Sequence, residues 1–366
     1  MNILILNSIL YTAQNNLIPR VDSIKDCMIY NLAFGFKELG HTVTLVAASE
    51  YKPTKDEDYA FEVIFIPSNF KKIFLPSVLP LQLGLIHLLM KKRNKIDLII
   101  SSEVFSFPSL LSSILAPQKT VIWHELALHT RKMKGIPSLI WYNIISKIFF
   151  KHVTIIARSK DAKRFISNYL QNVSKSIVEH GVDLIKFQYS TEKKNQLVVV
   201  GQLIPRKNIE NIILKFKKFI SIVEYSKFKL IILGKGELES DLIKTIFNEG
   251  LINNVEMLGF KRHWELNKIV SESMALLIDT KQDNNMVSIP EAIVSGTPVL
   301  SNLIPTNSQM INENKIGIAK HNWTELDIKQ IVDNNASYVE QCEKFRPELS
   351  TLYTAQKLID CFIQKQ

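Results

Sequence analysis

An alternation governs this sequence. Short apolar runs, each the length of a buried strand, are separated by longer stretches with helical apolar spacing. "MNILILN", "TVTLVAA", "FEVIFIP", "IDLIIS", "TVIWHE" and "VTIIARS" form a first series. "QLVVVGQL", "FKLIILGKG", "NNVEMLGF", "MALLIDT" and "TPVLSN" form a second. Between them, "DCMIYNLAFGFKELG", "NIENIILKFKKFISIVE" and "ELESDLIKTIFNEG" read as helices, the first closing on Gly40 as a C-cap. Near-continuous apolar strands joined through helices imply βαβ units and parallel sheets covered on both faces. The two series predict two doubly wound α/β domains, and 366 residues suffice for two cores. The polar run "VEHGVDLIKFQYSTEKKNQ" sets the expected boundary around residues 175–195. The N-terminal domain is then expected over 1–175 and the C-terminal one over 190–350.

Composition narrows the partners. A charged fraction of 22% with 46% hydrophobic residues is ordinary globular material. Cys27, Cys342 and Cys361 show no paired spacing, which argues against a disulfide framework or a zinc site and fits a reducing, cytoplasmic setting. The opening "MNILILNSIL" lacks a basic segment and a cleavage site, so it reads as a first strand rather than a secretory signal. The formal charge is +10, yet no nucleic-acid motif is present. The cationic excess therefore points to an anionic membrane surface or a phosphate-rich substrate. Ile73–Met90 is 18 residues without a formal charge, flanked by Lys71–Lys72 and Lys91–Lys92–Arg93. It reads as a buried or half-buried helix or an interfacial one; Pro76, Pro80, Gln82, Gly84 and His87 argue against a span.

Open α/β sheets bind ligands at the carboxyl ends of their strands, so chemistry is sought there. After "QLVVV" come Arg206 and Lys207, two cations leading into a helix, suited to a diphosphate or to a solvated basic turn. After "FKLIIL" come Gly234 and Gly236, which allow a close approach of ligand or a tight turn. After "TVIW" come His124 and Glu125, a histidine able to donate a hydrogen bond or to be a satisfied structural residue. After "MALLIDT" comes "QDNNMVSIPEAIVSGTPVL". It places Asp283 in a loop and Glu291 in the first turn of a helix, where carboxylates can accept sugar hydroxyls or simply cap the helix.

"VVVGQLIPRKNIENIILKF", "LIILGKGELESDLIKTI", "NNVEMLGF" and "DNNMVSIPEAIVSGTPVLSN" follow one another in the order and spacing of family-4 glycosyltransferases, which the chain resembles. The first half resembles them more weakly through "ELGHTVTLVA", "TVIWHE", "VTIIARS" and "EHGVDLIKF". The resemblance implies the GT-B architecture of two Rossmann-like domains facing a cleft, with acceptor bound by the first and nucleotide sugar by the second. It implies a diphosphate contact for Lys207, ribose hydroxyls for Glu291, a donor-sugar contact for Asp283 and a catalytic-cleft role for His124. Backbone amides of Asn284, Asn285, Met286 and Val287 would touch donor sugar and phosphate, and Gly234 would line the donor site. The final "LSTLYTAQKLIDCFIQ" would pack residues 351–366 back on the first domain.

Three departures stand out. Gln202 occupies the position of a customary arginine, leaving Arg206 to compensate; Asp283 replaces the first Glu of an E-x7-E motif; and the N-terminal loop "NSILYTAQNNLIPRVDS" lacks the usual glycine pair, with Arg20 as a candidate acceptor contact. The implied activity is transfer of a hexosyl unit from a nucleoside diphosphate sugar, by default uridine-linked, to a glycan or lipid-linked saccharide, with retention. No metal or other cofactor is implied. The implied setting is surface polysaccharide assembly in the cytoplasm, with peripheral membrane contact through residues 70–95. A non-catalytic nucleotide-sugar-binding or partner subunit and a sugar-nucleotide epimerase are the rival readings.

Overall fold

The computed structural model describes residues 1–11, 17–129, 135–283 and 285–364. The chain divides into two compact units, Met1–Gly181 with Thr351–Gln366, and Val182–Ser350. In the first unit the order is β1 (Asn2–Leu6), α1 (Met28–Glu38), β2 (Thr42–Ala48), β3 (Glu62–Ile66), α2 (Gly84–Lys92), β4 (Leu98–Ser102), α3 (Phe107–Leu115) and β5 (Thr120–His124). It continues through α4 (Ile136–Ile140), a π-helical turn (Trp141–Ile145), α5 (Ser146–Phe149), β6 (Thr154–Ala157), α6 (Lys160–Ser167) and β7 (Val173–Ile177). The second unit holds β8 (Gln196–Val200), α7 (Ile209–Ile220), β9 (Lys229–Leu233), α8 (Glu239–Asn248), β10 (Val255–Gly259), α9 (His263–Ser271) and β11 (Ala275–Ile278). Then come α10 (Ser288–Val294), β12 (Val299–Ser301), α11 (Gln309–Glu313), β13 (Gly317–Ala319), α12 (Glu325–Asp333) and α13 (Asn335–Phe345), before α14 (Thr351–Ile363) returns to the first unit.

Both sheets are parallel. The first has seven strands in the order β3-β2-β1-β4-β5-β6-β7, the second six in the order β10-β9-β8-β11-β12-β13. Each reverses its winding once, between β1 and β4 and between β8 and β11. Such a switch point opens a crevice beyond the strand ends, and ligands of doubly wound sheets bind there. The apolar runs of the sequence are buried as expected: Ile3 to Leu6, Leu98 to Ile100 and Leu230 to Leu233 are all at most 5% exposed. Two strands lay outside those runs. β7 reads "VSKSI" with no fully buried residue, and β13 is only three residues long.

In the first unit α14 lays Ala355, Leu358, Ile359 and Phe362 into the core formed with Ile29, Ala33 and Phe36 of α1. Gly35 makes that packing close: a Cβ there would stand 2.9 Å from the Thr351 carbonyl oxygen.

Residues Ile73–Met90 are not one helix. Only Gly84–Lys92 is helical; the stretch before it is turns. Pro76 and Pro80 explain this, since proline lacks the amide donor and clashes with a preceding helical turn. Gln82, polar within an apolar run, is 1% exposed. It accepts from Ser8 and donates to the carbonyls of Ala47 (3.1 Å) and Ile66 (2.9 Å), pinning the segment to the sheet. No helix among the described residues is long and apolar enough to cross a membrane.

Candidate functional site

The second switch point gathers the charged residues singled out above. β8 ends at Val200, and the chain turns through Pro205–Lys207 before Asn208, in left-handed conformation (φ 53°), starts α7. The loop after β11 runs alongside. The Arg206 carbonyl accepts from Thr280 Oγ1 (2.9 Å) and the Lys281 amide (2.7 Å), so the two loops are stitched by backbone. Across this seam Lys207 Nζ donates to Asp283 Oδ2 at 2.5 Å. Arg206 donates one terminal nitrogen to the same oxygen (2.8 Å) and to the Gln282 carbonyl (3.0 Å). Two cations therefore meet on one carboxylate oxygen. A pocket beside them is lined by Val200, Gly201, Lys207, Asp279 and Met286.

Beneath this lies a network the sequence reading passed over. Asp279, buried just after β11, accepts at Oδ2 from Asn211 (2.5 Å), Lys215 (2.9 Å) and Asn208 (3.3 Å), and at Oδ1 from Asn302 (3.3 Å). The Lys215 ammonium also stands 4.0 Å from the centre of the Trp323 ring, whose Nε1 donates to the Ile278 carbonyl. A buried carboxylate with every donor supplied fixes its surroundings rather than reacting. Asp279 thus anchors the start of α7, and with it Lys207.

Glu291 lies in the first turn of α10, as its sequence position implies. Burial alone pushes its pKa up to about 8. Asn285 Oδ1 accepts from Thr306 Oγ1 (2.5 Å), and Val287 is exposed. Asn284 lies outside the described residues. Met286 corrects one expectation: its amide is not offered to a ligand but donates to Asn307 Oδ1 (3.1 Å), and its carbonyl accepts from Asn307 Nδ2 (2.9 Å). Gly234 is also explained differently. A Cβ there would stand 1.8 Å from the Gly201 carbonyl oxygen, so the missing side chain makes room for the chain's own backbone.

Residues 182–347 match the family model of glycosyl transferases group 1. The matched stretch is just under half of the chain. It is the second unit almost end to end, and it contains Lys207, Arg206, Asp283 and Glu291. No curated protein sequence matches the chain. Solved structures match over its whole length. HepE from Anabaena, in complex with UDP, aligns with a TM-score of 0.66 at 12% identity, covering 100% of both chains. Sucrose-phosphate synthase from Thermosynechococcus elongatus aligns with a TM-score of 0.67 at 13% identity, covering 100% of this chain and 99% of its own. The lipopolysaccharide outer core galactosyltransferase WaaB, in apo form, gives 0.63 at 14% identity with 100% of each chain covered. At these identities the likeness is one of fold: two Rossmann-like domains of the GT-B glycosyltransferase type.

The first unit has its own cluster at the carboxyl ends of β4 to β6. His124 closes β5, a central strand, and is 0% exposed. Its Nδ1 lies 2.8 Å from Glu103 Oε2, and its ring stacks 6.2 Å from Phe165. The catalytic-cleft role implied for His124 thus falls on an imidazole that in this structure is buried against Glu103 and Phe165. Its Nε2 has no hydrogen-bond partner among the described residues. Glu103, at φ 69°, also accepts from the amides of Glu125 (3.0 Å) and Leu126 (3.3 Å). Burial works to raise its pKa, but His124 and Arg158 outweigh that and hold it below the usual carboxylate range. Arg158 donates to Glu125 Oε2 (2.9 Å), and its guanidinium stacks 3.9 Å from the Trp123 ring. His180 Nε2 lies 3.3 Å from the same Glu125 oxygen, and burial together with Arg158 lowers its pKa. Arg20 is exposed, and residues 12–16 of its loop lie outside the described residues.

Proposed function

We propose that the chain moves a hexosyl group from a nucleoside diphosphate sugar, uridine-linked, to a hydroxyl of a glycan or lipid-linked saccharide, with retention of anomeric configuration, in surface polysaccharide biosynthesis. One observation carries this reading. Lys207 and Arg206 converge on a single anionic oxygen at the switch point of a sheet within the stretch that matches the glycosyl transferases group 1 model. Two fixed cations at such a strand end suit a diphosphate. The uridine assignment is supported by HepE, whose structures hold UDP, UDP with glucose, or UDP-glucose. The polysaccharide setting is supported by WaaG, described as involved in lipopolysaccharide biosynthesis, and by WaaB.

In this reaction the bond between the anomeric carbon and the diphosphate oxygen breaks, and its electron pair stays on the diphosphate. Lys207 and Arg206 neutralise that charge, which fixed cations do without reorganising. The acceptor oxygen bonds to the anomeric carbon on the face the diphosphate leaves. The acceptor proton passes to the departing phosphate oxygen. Glu291 takes the ribose hydroxyls. The side-chain cations are the proposed counter-charge, with no metal or other cofactor taking part. A panel of nucleotide hexoses with saccharide acceptors tests the reading: free UDP is expected to appear with a UDP-hexose. Donor binding without nucleotide release for every acceptor would instead favour a binding subunit.

Peripheral contact with the inner face of a membrane through residues 70–95 belongs to the same proposal: Phe70 (63%), Ile73 (72%) and Met90 (61%) are exposed beside exposed Lys71, Lys72 and Lys91, and residues 136–149 add a second apolar surface. Along residues 136–149 the buried face is Ser138, Trp141, Tyr142 and Ser146, while Ile136 (72%), Leu139 (52%), Ile140 (43%), Ile144 (53%) and Ile148 (62%) are exposed. The outward face is more apolar than the inward one, and exposed Lys147 and Lys151 border it. An apolar face rimmed by cations suits an anionic bilayer surface. Wild-type protein is expected to sediment with phosphatidylglycerol vesicles at low salt, and Ile140→Glu/Ile144→Glu to sediment less. An Ile73→Glu/Met90→Glu variant is likewise expected to sediment less; sedimentation of both variants like wild type would remove the membrane contact.

A further inference from the structure

Asp283 is held where a diphosphate is expected. Its Oδ2 takes both Lys207 Nζ (2.5 Å) and Arg206 (2.8 Å), and the Lys207 and Asp283 side chains are each only 13% exposed. We propose that Asp283 is a displaceable counter-anion: it neutralises the two cations until the donor's diphosphate replaces it on them, and the released carboxylate then turns to the donor sugar. The inference rests on the nucleotide-sugar reading and deepens it by naming the step that couples donor binding to sugar positioning.

Three features support the exchange. First, the backbone that carries the cations is placed independently of the Asp283 carboxylate. Arg206 is tied through its carbonyl to Thr280 and Lys281, and Lys207 precedes an α7 start anchored by Asp279. Displacing the Asp283 carboxylate from the seam therefore leaves the backbone of Arg206 and Lys207 in position. Second, the existing ion pair is a weak form of its kind. Arg206 spends one terminal nitrogen on both Asp283 and the Gln282 carbonyl, so it pairs with a single carboxylate oxygen. A phosphate offers the forked, two-point pairing that a guanidinium favours, and a diphosphate carries more charge than one carboxylate. Third, two half-buried cations this close repel each other and need an anion between them. Asp283 supplies it, which keeps the binding-competent geometry assembled before donor arrives.

This makes an unusual demand on a mutant. An aspartate that merely contacts the sugar has no effect on a ligand without sugar. A displaceable counter-anion competes with every diphosphate. Titration of UDP and of inorganic pyrophosphate into wild type, Asp283→Asn and Asp283→Ser, at constant ionic strength, reads the difference. Both variants are expected to bind UDP and pyrophosphate about tenfold or more tightly than wild type, the strength of one removed competing charge near a protein surface. With UDP-hexose, both are expected to show a lower KM together with a lower kcat, because the carboxylate that positions the sugar is gone. UDP binding of equal or lower strength in both variants overturns the proposal while leaving the nucleotide-sugar reading standing. An absence of UDP binding in wild type and variants alike overturns that reading and the proposal with it.

Discussion

Lys207→Ala is expected to lower turnover by about 10²–10³-fold, the range seen when one preorganised charge-stabilising group is removed. Lys207 is the more enclosed of the two cations at the switch point, with a side chain 13% exposed against 40% for Arg206. A charge acts most strongly where water screens it least. Truncation leaves Asp283 still paired to Arg206 at 2.8 Å, so no buried carboxylate is stranded and the fold is expected to survive. Circular dichroism and turnover measured together make the check. Unchanged turnover in a folded variant removes Lys207 from the reaction.

The second large effect belongs to Glu291 and is read through pH. Its pKa is pushed up to about 8, so near pH 7 the free protein carries it mostly as the neutral acid. Ribose hydroxyls donate to a carboxylate best when it is ionised. Binding therefore expels a proton, and UDP affinity is expected to rise about tenfold per pH unit up to pH 8 before levelling. Calorimetry in buffers of different ionisation enthalpy is expected to show release of about one proton near pH 7. Glu291→Gln should bind more weakly and lose the pH dependence; a pH-independent wild type would remove the ribose role. The stability sign follows from the same shift. The folded-state pKa lies above the unfolded value, so the stabilisation is complete below about pH 4.3 and is lost as pH rises through 8. Glu291→Gln is therefore expected to melt above wild type at pH 9.

Much of this was legible in the sequence, for physical reasons that also explain the rest. Strands buried on both faces leave continuous apolar runs, which is why β1, β4, β8 and β9 stand out. β7 does not, because its "VSKSI" sits at a sheet edge with no fully buried residue. Lys207, Asp283 and Glu291 were visible as charges at strand ends. Their pairing was not, since Lys207 and Asp283 lie 76 positions apart and only the β8–β11 neighbourhood brings them together. Asp279 was hidden by its position at the tail of "ALLID", where it reads as the end of a strand. Only the convergence of Asn208, Asn211, Lys215 and Asn302 identifies it as an anchor. His124 was found, but burial is a property of neighbours, and Phe165 and Glu103 are distant in sequence. The run Ile73–Met90 suggested a helix by apolarity alone; its two prolines decided otherwise.

The second unit is expected to bind a nucleoside diphosphate through Lys207, Arg206 and Glu291. Calorimetric titration of UDP into the full chain tests it most directly. Saturable one-to-one binding is predicted for wild type, weakened at least tenfold in Lys207→Ala, a loss typical for one charged contact to phosphate. Equal UDP affinity in wild type and Lys207→Ala, or no saturable binding in wild type, would contradict it.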